Sequence, residues 1–197
     1  MRLYLLIVLI VTSIGCDKKK EEESDTLGAG TLRGTWTSEC RELDEAYLQS
    51  SFTFLSETFS YANGTYTDNK CKTVSDIIEG RGTYLTSAAV EDEDGDSLTG
   101  IDYVFEEFTW TFEEHPSDAS NWSPACEDAD VNGNEVDVLG KTCSTESGDL
   151  VFNAEQFGSV WMKENMLYAS DVNTNGTSAN DRSLILDKDF GAMEKSE

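Results

Sequence analysis

Apolar and polar residues alternate with a period of two along most of this chain. Phe52 and Phe54 alternate with Ser51 and Thr53, and Phe59 and Tyr61 with Thr58 and Ser60. Asn63-Gly64, just beyond the second set, is a turn signal. Residues 82–86 form a further short alternating run. Ile101, Tyr103 and Phe105 alternate with Asp102, Val104 and Glu106, after which Phe108, Trp110 and Phe112 alternate with Thr109 and Thr111. Residues 159–162 and 166–169 flank Lys163-Glu164-Asn165, a hairpin spacing. Period two places one face of each segment in a core and the other in water, which predicts strands. No helical stripe is sustained, and residues 116–122 are the single candidate for a short helix. Seven or eight strands at close spacing predict an antiparallel barrel or a sandwich.

Composition narrows the partners. Fourteen Lys+Arg stand against 39 Asp+Glu, a formal charge of -25. Binding a polyphosphate backbone needs a basic face, so nucleic acid is excluded as a partner. With 38% apolar and 10% aromatic residues the chain is too hydrophobic for an acidic disordered protein.

The N-terminus carries a targeting pattern. Arg2 precedes residues 3–15, which hold no charge and fall short of the roughly 20 residues a membrane span needs. The stretch has the length of a signal-peptide apolar region. It ends Ser13-Ile14-Gly15-Cys16, which resembles the lipobox of bacterial lipoproteins. That resemblance implies a signal peptide over 1–15, acylation of Cys16 with diacylglycerol and palmitate, and the lipid bilayer as a partner. It implies a place in the bacterial cell envelope, at the outer membrane or the periplasmic face of the inner membrane. Residues 16–30 read as a lipidated cysteine and a charged flexible tether, because they hold too little apolar surface to offset ordering. The folded domain is expected over 31–197.

Four cysteines remain in that domain: Cys40, Cys71, Cys126 and Cys143. An even number in an exported chain favours disulfides over zinc, since no C-x-x-C pair is present and the chain has one histidine. Three pairings are open. The favoured one is Cys40 with Cys71 and Cys126 with Cys143, because each pair is local in sequence.

Gly34-Thr35-Trp36 resembles the G-x-W signature of the lipocalin superfamily, and Ile101-Asp102-Tyr103 echoes its T-D-Y motif. G-T-W-x-x-x-C at 34–40, the aromatic hairpin, Trp122 to Cys126 and a late L-Y-x-x-D together resemble bacterial lipoproteins carrying a lipocalin-like domain. The resemblance implies an all-β, antiparallel, up-and-down eight-stranded barrel. It places Trp36 at the closed end on the first strand, with a late Arg packed across it; Arg182 is the candidate for that barrel-end role with Gly34 and Trp36.

Candidate sites follow from chemistry. Asp128, Asp130 and Asn132 precede Gly133 with the alternate-oxygen spacing of an abbreviated calcium loop, and residues 171–176 repeat it. The same residue types also make plain turns. Residues 91–96 hold five carboxylates in six positions and read as a solvated hairpin loop at a barrel rim, disfavouring anions there. Phe52, Phe54, Tyr103, Phe105, Trp110 and Phe112 are candidates to line a ligand cavity, although inward aromatics of a small barrel also serve as plain core. His115 has no sequence partner suggesting a triad, so catalysis is not expected. The expected function is an envelope-anchored barrel binding a small hydrophobic or amphipathic molecule. The rival is a non-enzymatic interaction protein with a filled barrel and acidic, calcium-competent loops.

Overall fold

A computed structural model describes residues 29–43, 45–92, 95–113, 125–126, 131–132, 134–145, 148–170, 176–183 and 192–196. Its main sheet is a ring of eight antiparallel strands: β1 (Gly34–Ser38), β2 (Ala46–Phe54), β3 (Thr58–Tyr66), β4 (Val74–Glu91), β5 (Ser97–Phe112), β6 (Glu155–Lys163), β7 (Met166–Ala169) and β8 (Met193–Lys195). Each pairs with the next, and β8 returns to β1 with Lys195 opposite Trp36. The ring is an all-β, up-and-down barrel-like fold, unevenly closed. β6 takes the first half of β5, whereas Glu135–Asp137 pairs with Thr109–Thr111 in its second half. A separate three-stranded sheet of Ala125–Cys126, Thr142–Thr145 and Gly148–Val151 belongs to the same excursion between β5 and β6.

The long strands explain three features of the sequence pattern. The runs at 101–105 and 108–112 are one strand, not two, and their inward set shifts from odd to even numbers. Arg81 faces Glu107 while Gly82 faces Phe105, so Glu106 is the extra residue of a β-bulge. A bulge of that kind restores the inward phase and increases the local twist. The run at 82–86 is likewise a section of β4. Asn63-Gly64, expected at a turn, lies inside β3, opposite Ser50 and Gln49 on one side and Ile78 and Ile77 on the other. Asn63 turns inward and accepts a hydrogen bond from the Ser50 hydroxyl, so it serves the barrel wall instead of bending the chain. The hairpin after β6 is as expected: Lys163 pairs with Met166, and Glu164 and Asn165 take positive φ. The short helix anticipated at 116–122 lies outside the described residues; the helical turns among them are Ala29–Leu32 and the 3-10 turn Ala179–Asp181.

Up-and-down order sorts the connections to two ends. The turn at 55–57, the acidic hairpin at 92–96 and the turn at 164–165 share one end, where the chain also enters β1. Leu32 is fully buried there, and the Trp36 indole N–H donates to its carbonyl at 2.7 Å. This end is plugged. The connections after β1 and β3 lie at the other end, where β5 and β7 also finish, and a disulfide ties those two connections together through Cys40 and Cys71. Cys126 and Cys143 form the second bridge, directly opposite one another in the small sheet. The favoured pairing is therefore the one observed.

Aromatic rings fill the barrel from its plugged end through its middle. Phe52 lies 4.9 Å from Tyr61, Phe59 lies 4.9 Å from Phe105, and Phe105 stacks on Phe108 at 4.5 Å between ring centres. Phe152, from the excursion, closes the side with its edge 5.0 Å from Phe108. Pairs of this geometry add about 0.5–1.5 kcal/mol each beyond the area they bury.

Candidate functional site

The six aromatic candidates separate on inspection. Phe52, Phe54, Tyr103 and Phe105 are buried and spend their surfaces on each other, with Phe52 5.7 Å from Phe54 and 6.2 Å from Tyr103. The space between them is occupied by their own rings. The Tyr103 hydroxyl is buried without a hydrogen-bond partner among the described residues, and burial pushes its pKa far above the ordinary tyrosine range, so it stays protonated. Trp110 and Phe112 lie further along β5, stacked at 5.3 Å, beside a different kind of lining.

That lining is polar. Towards the open end the inward positions become Ser38, Ser50, Asn63, Thr65 and Asp76, and Leu48, Asn63 and Thr65 are only half-buried. Inward side chains reach water only where the barrel opens, so this end is a mouth. Its residues are bonded around the wall. The Ser50 N–H donates to the Ser38 hydroxyl at 2.9 Å, and the Ser50 hydroxyl donates to Asn63 Oδ1 at 3.2 Å. The Thr65 hydroxyl donates to Asp76 Oδ1 at 3.3 Å, and the Trp110 indole N–H donates to the same oxygen at 3.0 Å.

Asp76 is the exceptional member. It is 7% exposed, and no Lys or Arg among the described residues pairs with it. Burial pushes its carboxyl above the usual carboxylate range, with the two hydrogen bonds working against the shift. The folded state therefore holds a proton on Asp76 more tightly than the unfolded chain does. That contribution to stability is complete below the unfolded pKa and is lost as pH rises through the folded one. Asp76→Asn keeps an acceptor for the indole and removes the charge. It is expected to raise the melting temperature by a few degrees at pH 7 and to leave it unchanged near pH 3. Equal effects at both pH values would contradict the assignment of a buried charge.

The barrel-end motif is placed differently from the expectation. The cation over Trp36 is Lys195, 5.3 Å from the ring centre, because β8 sets it opposite Trp36. Arg182 lies instead on the outer wall. Its segment is held to β6 by the Gly176–Phe157 bridge and by the Ser159 hydroxyl, which donates to the Ser183 carbonyl at 2.7 Å. Nη1 donates to the carbonyls of Ile101 and Gly158 at 2.8 and 2.7 Å, and Nη2 to Asp102 at 2.5 Å, with Phe157 alongside. Gly100 leaves the room for the guanidinium. Gly34, with φ 130, packs against the Lys195 stem.

A shallow outer groove of about 450 Å³ crosses β2 to β5 at Ser51, Ser60, Ala62, Glu79, Arg81 and Glu107, and includes the exposed Arg81–Glu107 ion pair. Exposed pairs of this kind contribute little. Cys16, Asp128, Asp130 and His115 lie outside the described residues. Asn132 sits in the short strand Val131–Asn132, opposite Glu135. Among the described residues no three His, Cys, Asp or Glu side chains are gathered to hold a metal, and no helix is long and apolar enough to cross a membrane. The acidic hairpin, expected to screen ligand access, is at the plugged end; there the Asp92 carboxylate accepts the Asp96 N–H at 2.8 Å.

Asp76 was not evident from the sequence. It precedes Ile77-Ile78, and two adjacent isoleucines hide which parity faces inward. Protein-family models and the curated proteins give no match to this sequence.

Proposed function

We propose that this chain is a lipid-anchored envelope protein whose lipocalin-like barrel binds a small amphipathic molecule at its open end. The observation that carries the reading is the change of lining along the interior, from buried aromatic rings to half-exposed polar groups beside Trp110 and Phe112. An amphipathic molecule matches that boundary, with apolar bulk against the rings and a polar group among Ser50, Asn63, Thr65 and Asp76. The chain enters the barrel at the plugged end. With Cys16 acylated, the tether end would face the bilayer and the mouth would face away from it. More than one acyl chain on Cys16 is enough for stable anchoring.

A second reading is favoured by the aromatic packing: a barrel filled by its own side chains that serves as a rigid scaffold for a protein partner. The two readings differ in ligand stoichiometry. Cys16→Ser is expected to abolish palmitate labelling and release the protein from membranes. Native mass spectrometry of the released protein is then expected to show an added small-molecule mass. Continued labelling would overturn the anchor, and a bare polypeptide mass would favour the scaffold.

A further inference from the structure

We propose that the barrel mouth recognises an organic ammonium group, with its charge on Asp76 and its apolar part against Trp110 and Phe112. The inference rests on the mouth being a binding site and names the chemistry it takes.

The geometry of the carboxylate carries it. Oδ1 already accepts from Trp110 and Thr65, whereas Oδ2 makes no hydrogen bond to a described residue. A buried anion without a counter-charge is unfavourable, and neutralisation or a cation relieves it. The indole N–H alone does not require a charge, since an amide oxygen would accept it equally well. An ammonium brings donors and no acceptor, so it needs a site rich in oxygen acceptors. Asn63 Oδ1, the Thr65 hydroxyl and Asp76 supply them on neighbouring inward positions of β3 and β4.

A bare metal fits less well. Calcium takes six to eight oxygen ligands, commonly with several carboxylates, and Asp76 is the one carboxylate among the inward positions Ser38, Ser50, Asn63, Thr65 and Asp76. An anionic amphiphile would meet Asp76 unpaired. A primary amine carrying an aromatic or aliphatic body suits both halves of the lining, because Trp110, Phe112 and Leu48 flank the polar groups.

The test uses residues 16–197 with Cys16→Ser, since every ring strand and both disulfides lie within 29–196. The probe is 2-phenylethylammonium, followed by calorimetry and by tryptophan fluorescence, with neutral 2-phenylethanol as its near-isostere. Saturable binding of the ammonium is expected, at least tenfold tighter than the alcohol. Asp76→Asn should bind the ammonium at least tenfold more weakly and the alcohol unchanged, with intact disulfides and near-ultraviolet dichroism as the folding control. Glu79→Gln, on the outer face, should change neither, which separates local recognition from the attraction of a strongly acidic chain for any cation. The proposal is overturned if the alcohol binds wild type as tightly as the ammonium, or if Asp76→Asn binds the ammonium as tightly as wild type does; the mouth then remains a binding site without charge recognition by Asp76. If neither compound binds, the mouth reading falls with it.

Discussion

Phe108→Ala is expected to cost about 3–5 kcal/mol, the range for truncating a large aromatic in a packed core. Phe108 is fully buried in the barrel, stacked on Phe105 and met edge-on by Phe152 and Tyr61. Across the sheet stands Gly80, whose missing side chain leaves room that the Phe105 and Phe108 rings occupy. Leu85→Ala, at a position 71% exposed, should change stability by less than about 0.5 kcal/mol. Denaturant unfolding measures both, and the slopes should agree with wild type. A loss below about 1 kcal/mol for Phe108→Ala would mean that the middle of the barrel is loosely filled, returning a ligand cavity to that region.

Removing the Cys40–Cys71 bridge by paired serine substitution is expected to cost about 2–5 kcal/mol, the usual range for a native disulfide in a small exported domain. The bridge spans 31 positions and joins two connections at the mouth. Without it, the unfolded chain gains freedom and the loop at 67–73 keeps its local bonds alone. Those bonds centre on Asp68, whose carboxylate accepts the N–H groups of Lys70, Lys72 and Thr73 and is held below the ordinary carboxylate range by them. Hydrogen exchange should accordingly rise first in the connections flanking the mouth, while the aromatic middle stays protected until global unfolding. Uniform loss of protection would show that the bridge supports the whole barrel instead of its rim. Four free thiols in protein taken from its native compartment would remove the premise.

Much of the architecture was legible because alternation is a local property. The sets at 52–54, 59–61, 101–105 and 108–112 each declare an inward face, and the slip from odd to even at Glu106 is visible as a broken period once a bulge is admitted. Cysteine pairing was readable for a similar reason, since both bridges are short in sequence. Asn63-Gly64 misled because the same pair that favours a two-residue turn is tolerated in a strand when its side chain finds an inward partner, here Ser50. Arg182 misled in another way: a single late arginine can reach several walls, and the chain between β7 and β8 laid it on the outside, over Gly100.

Residue types and their period were sufficient to indicate an acidic all-β domain, barrel or sandwich, with aromatic faces turned inward, and to favour two local disulfides among three possible pairings. Those properties depend on neighbours within a few positions, which a sequence displays directly. Which inward positions would be dry and which would reach water was decided only by closure of the ring. Stagger between strands brings Phe54, Tyr84 and Leu32 together at one end, and Ser50, Thr65, Asp76 and Trp110 together at the other. The members of each set lie on different strands, and their distances are fixed by register summed over several pairings. A buried carboxylate facing an open mouth is a product of that sum, and no stretch of the chain carries it alone.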